Sequence, residues 1–186
     1  TYTGPNEQAK TPAAACAPDA THPAATMSNL VQSGGSFELI CTYPASGDQW
    51  LVTRTSGDQE LGAVQINTPG QSLPAVAKNA VNLNGLETGG PGNADLVSSG
   101  WGRAGADVTN VTLITQAGEK IPAKVQNGFW TAVWQSGSNP METRYATLTW
   151  TTAGGASYTA AGDKVSGTNG LKVPSGTSST APAPAR

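Results

Sequence analysis

Asn127-Gly128 lies between two alternating segments, and no other feature constrains this chain as strongly. An Asn-Gly pair in that setting predicts a two-residue hairpin turn with positive φ at both positions. The register then follows by counting. Gln126 faces Phe129, Val125 faces Trp130, Ala123 faces Ala132 and Ile121 faces Trp134. The last three pairs share one apolar face, because successive strand residues point to opposite sides. Lys124, Pro122, Phe129, Thr131 and Val133 share the other, a mixed face expected to be half exposed.

The hairpin before it runs from about 108–115 into 119–126 through Gln116-Ala117-Gly118. A two-residue loop would put Val111 and Leu113 on the face of Lys120 and Lys124. A three-residue loop with Gly118 left-handed puts them with Ile121, Ala123 and Val125. Burial selects the three-residue loop. A further strand covers about 143–152, and Gly154-Gly155 turns it into Ser157-Tyr158-Thr159-Ala160. These segments read as a four- to five-strand antiparallel meander with one apolar face.

The first half reads as a meander of strands at about 36–43, 50–55 and 60–67. Ser-Gly-Asp-Gln occurs at 46–49 and again at 56–59, each time before a strand. Asp48 and Asp58 do not form a calcium site on this reading. The two turns cap opposite ends of one short strand, roughly 20 Å apart. Sheet on sheet is the simplest closure, so the fold class is all-β: an antiparallel β-sandwich or a partly closed barrel.

Composition agrees. Charged residues make up 12 % of the 186 residues, about half the usual fraction. With 23 Gly and 13 Pro, short strands and tight turns are favoured over long helices. The expected layout has three parts. Residues 1–27 form an extended Pro/Ala/Thr-rich arm, 28–165 the β-rich core, and 166–186 a low-complexity tail. Within the core, halves at about 28–84 and 102–165 are joined by a Gly-rich flexible connector. That connector lacks the Gly-Lys-Ser/Thr element of a phosphate loop.

Cys16 in the arm and Cys41 in a strand are the two cysteines. A disulfide between them would staple arm to sheet and implies an oxidising, extracellular or cell-surface compartment; the alternative is two buried thiols. A chain starting at Thr1 fits a processed product, an excised ectodomain, or removal of an initiator Met. No apolar run approaches a membrane span. The net charge of −2 and scattered basic residues argue against nucleic acid.

Catalytic and metal residues are expected to be none, and no cofactor is implied. His22, the sole histidine, sits in the arm, a poor platform for a triad or a zinc site. Asp58 and Glu60 could in principle serve a carboxylate-based hydrolase, but at a turn they read as solvated surface. Asn110-Val111-Thr112 is a glycosylation sequon, relevant only in a eukaryotic secretory route. Trp130, Trp134 and Trp150 belong to the core by register. Trp101, flanked by glycines and followed two residues on by Arg103, is the best candidate ligand contact, and Trp50 a further one.

The stretch Gly102-Arg103-Ala104-Gly105-Ala106-Asp107-Val108-Thr109-Asn110-Val111-Thr112-Leu113, continuing to Gly128-Phe129-Trp130-Thr131-Ala132-Val133-Trp134, resembles a module of uncharacterised actinobacterial exported or membrane-anchored proteins. The resemblance spans about 101–135. It implies an extracytoplasmic Gram-positive setting and carries no catalytic residues. The expected function is therefore an exported, non-enzymatic structural or adhesive β domain that associates with copies of itself through its arms. The alternatives are a carbohydrate- or cell-wall-binding ectodomain and a carboxylate-based hydrolase.

Overall fold

The computed structural model describes residues 4–17, 25–44, 46–56, 62–67, 76–90, 94–137 and 146–166. The strands are β1 (Thr26–Ser33), β2 (Ser36–Thr42), β3 (Gln49–Arg54), β4 (Gly62–Asn67), β5 (Gly85–Gly89) and β6 (Leu96–Arg103). They continue as β7 (Val108–Ile114), β8 (Lys120–Pro122), β9 (Lys124–Gln126), β10 (Phe129–Gly137), β11 (Thr147–Thr152) and β12 (Ser157–Ala161). Two helical turns, α1 (Pro12–Cys16) and α2 (Gly162–Val165), complete the set. The strands form three open antiparallel sheets, ordered β1-β2-β3-β4, β5-β6-β10-β9 and β12-β11-β7-β8. The fold is all-β and layered, without closure into a barrel.

Side-chain alternation explains the layering. Along β10, Trp130, Ala132 and Trp134 enter a core with Leu113, Leu148 and Trp150 of the third sheet. Phe129 points the other way, toward Ile40, Leu51 and Ile66 of the first sheet. The second sheet is therefore covered on both faces, and β10 is buried from Phe129 to Trp134. Of the face expected to be half exposed, Phe129, Thr131 and Val133 are buried where the first sheet lies over them, while Pro122 and Lys124 are exposed. The far face of the first sheet packs Phe37, Leu39 and Val52 against Ala15 and Cys16.

The Asn-Gly turn has the expected register, with Phe129 opposite Gln126 and Trp130 opposite Val125. Asn127 has φ 52° and Gly128 φ 80°. Farther from the turn the register differs. The Ala123 N–H donates to the Val111 carbonyl, so the chain leaves one sheet there and enters the other. Ala123 and Ile121 consequently do not pair with Ala132 and Trp134, and the single meander becomes two facing sheets. Ile121 is still buried in the core of Trp130 and Trp134, reached across the interior rather than along a sheet. The preceding loop has three residues, with Leu113 opposite Ile121 and Gly118 at φ 83°.

Two further expectations are corrected. The 84–102 segment is not a flexible connector. It supplies β5 and β6, and β6 pairs with β10 along its length. Its glycines provide clearance: a Cβ at Gly102 would overlap the Asn82 carbonyl oxygen. Nor is the described part of 1–27 an extended arm. Thr11 caps α1 by accepting the Ala14 N–H at 3.3 Å, Ala9 and Ala15 are buried, and Cys16 is bonded to Cys41. Strand β1 begins at Thr26. At the other end, Ser166 bridges Leu83, and 167–186 lie outside the described residues, as do His22, Asp58, Glu60 and 143–145.

Candidate functional site

Strand β2 reads Ser-Phe-Glu-Leu-Ile-Cys-Thr, an apolar run with one acid in it. Phe37, Leu39 and Cys41 take the face toward α1. Glu38 and Ile40 therefore take the face toward the second sheet, and Glu38 is left 1 % exposed. The Thr53 hydroxyl donates to its Oε2 at 3.2 Å. The Ser99 hydroxyl and the Ala132 backbone also act on the carboxyl, yet no group meets Oε1 with full hydrogen-bond geometry.

Burial drives the Glu38 pKa well above its ordinary value, and the charge of Glu87 adds to the rise. Hydrogen bonds from Thr53, Ala132 and Ser99 oppose it. The net effect favours the protonated, uncharged acid. A buried acid without full partners costs stability, and such groups concentrate at functional sites.

A cleft opens in front of this acid. It has a volume of about 220 Å³ and is lined by Thr53, Thr55, Gly62, Glu87, Thr88, Gly89 and Ser99. Its walls are β3 and β4 of the first sheet and β5 and β6 of the second. Thr53 sits opposite Gly62 and Glu87 opposite Ser99, so sheet register sets both walls. Glu38 lies behind the Thr53 and Ser99 hydroxyls rather than in the wall itself, while Glu87 is exposed.

The residues singled out from sequence lie elsewhere. Trp101 and Arg103 come together on the inner face of the second sheet, flanking Phe129. The Trp101 and Phe129 ring centroids are 6.5 Å apart, and the Arg103 guanidinium lies 5.1 Å from the Phe129 centroid. Burial lowers the Arg103 pKa. Trp101 is half-buried, packed against the cluster of Ile40, Leu51 and Ile66. Trp50 is not with them, since it packs on the opposite face of the first sheet.

Sequence reasoning passed over Glu38, although a signal was present. A lone acid in an apolar run, with Phe37 and Leu39 on one face and Ile40 beside it on the other, is buried if both faces of the strand are covered. Glu87, Thr53 and Ser99 carried no such signal, because their convergence depends on how two sheets stack. Among the described residues no group of three His, Cys, Asp or Glu side chains could hold a metal, and no helix is long and apolar enough to cross a membrane. No family model, curated protein or solved structure matches this chain.

Proposed function

We propose that this chain is an exported, non-enzymatic binding domain whose inter-sheet cleft takes a small polar ligand. One observation carries the reading: four hydroxyl residues and Glu87 line one opening, with the buried Glu38 acid hydrogen-bonded to one of them, Thr53. A fold that retains a costly buried acid beside a polar opening has a use for it there. The cleft is below the ~300 Å³ of drug-sized sites, so it suits one small group or the end of a polymer. The disulfide supports the exported setting. Glu38 stands behind the wall rather than in it, which supports a binding role for the cleft over chemistry by this acid; Asp58 and Glu60, the carboxylates of the hydrolase reading, lie outside the described residues.

The structural or adhesive reading survives through a different surface. The described N-terminal segment packs on its own domain, and a different surface offers itself for association. Strand β4, however, ends its sheet, carries no charged residue, and exposes 52 % of Val64. Uncharged edges of this kind favour pairing with another chain. The test is amide-resolved NMR of the labelled chain with N-acetylglucosamine, glucose, methylammonium and calcium, together with sedimentation. The binding reading expects a monomer with saturable shifts at Thr53, Glu87, Thr88 and Ser99. No cleft response to any probe, in a chain that sediments as a dimer, would overturn it in favour of the adhesive reading.

A further inference from the structure

We infer that the cleft takes a positively charged group, a metal cation or a primary ammonium; this rests on reading the cleft as a binding site. Among the described residues, every polar side chain in its wall ends in oxygen, with no lysine, arginine, histidine or amide group contributing. A hydroxyl can donate as well as accept, so what matters is where its proton goes. The Thr53 proton goes back to Glu38, and the Ser99 side chain stands near the same carboxyl. Thr88 shares a hydrogen bond of 2.9 Å with Ser98. Ser98 donates on to Ser136 at 2.9 Å, so Thr88 is the donor in that pair, and with their protons turned into the protein Thr53 and Thr88 offer lone pairs to the opening. Glu87 adds a carboxylate, which accepts only.

A wall of acceptors selects a guest that brings positive charge or donors. Hard cations take such oxygens as ligands, and an ammonium group brings three donors and no acceptor. An uncharged sugar fits less well, since it supplies as many acceptors as donors and finds no aromatic side chain in this wall on which to stack.

Glu38 couples to the guest. The carboxylate form accepts from the Thr53 hydroxyl more strongly than the acid does. A nearby positive charge offsets the burial that raises its pKa, and Glu87 is the charged group that otherwise acts on it. Binding therefore ionises Glu38: its O–H bond breaks, the electron pair stays on the carboxylate, and the proton leaves to solvent.

The experiment titrates the full labelled chain with calcium chloride and, separately, with methylammonium chloride. Glucose serves as the uncharged probe, and tetramethylammonium chloride holds ionic strength. The pH is set below the Glu38 titration midpoint, and proton release is followed alongside the NMR shifts. The expected result is saturable movement of Thr53, Glu87, Thr88 and Ser99, half complete at roughly millimolar concentration as for weak extracellular oxygen sites, with protons released on binding. Glu87→Gln should weaken it about tenfold or more, the loss of one charge-assisted contact. Glu38→Gln should abolish the proton release. Saturation by calcium alone assigns the guest as a metal, and saturation by methylammonium alone assigns an amine. A response to glucose alone overturns the cation inference and leaves the binding domain standing. No response to calcium or methylammonium overturns the cation inference; silence toward glucose and N-acetylglucosamine as well, in a chain that sediments as a dimer, removes the binding reading with it, and full-strength binding in Glu87→Gln overturns the inference by itself.

Discussion

Trp130 has no exposed surface, and its indole N–H donates to the Asn82 carbonyl at 2.7 Å. Gly102 makes room for that bond, since a Cβ there would lie 2.6 Å from the indole nitrogen. Trp130→Ala should cost ~3–5 kcal/mol, as large core truncations do. Gly102→Ala should cost ~1–3 kcal/mol through overpacking. Denaturant unfolding measures both, and near-neutral values would place the indole outside the core. The burial of Trp130 was legible in the sequence, because the Asn127-Gly128 turn fixes its face. The demand on Gly102 was not, because it arises from residues 82 and 130, distant in sequence and adjacent in space.

Elements were legible where local turn chemistry set them. The first-half strands at 36–43 and 50–55, and the turn into Ser157, fall within a residue or two of β2, β3 and β12. What could not be read was which sheet a strand joins. Strand β1 shows why. Asn29 breaks its alternation at φ 57°, and its amide donates to the Gln126 and Phe129 carbonyls at 3.0 and 3.1 Å. The Thr131 hydroxyl returns a 2.7 Å bond to the Asn29 carbonyl. That exchange pins the first sheet to the β9–β10 hairpin, about a hundred residues away, and no local pattern encodes it. Helix α1 was missed for another reason: five residues are too few to show periodicity. It is held by its cap and by the bond from Cys16 to Cys41, 25 positions apart. Replacing both cysteines with serine should lower stability by roughly 3 kcal/mol in the chain-entropy model. A lower denaturant midpoint, with a slope that rises as the freed unfolded chain expands, would show it, while no change would mean α1 contributes little.

On the scale of the molecule, three sheets share two interfaces of different character. The second and third sheets meet through tryptophans and aliphatic side chains. The first and second meet through a smaller apolar cluster, and beside it stand the Glu38 acid and the hydroxyl-walled cleft. An apolar residue at 38 would have made that interface simpler and more stable. Because folding raises the Glu38 pKa above its ordinary 4.5, the linked stability is fully present below that pH. It is lost as pH rises toward the folded midpoint. Any guest that favours the ionised form recovers part of this loss by lowering that midpoint. The most direct test is the titration of the Glu38 side-chain carboxyl carbon by NMR in the intact chain, with and without a saturating cation. The account predicts a midpoint well above the ordinary carboxylate range that falls when the cation is added. A midpoint near 4.5, the same in both conditions, would contradict it.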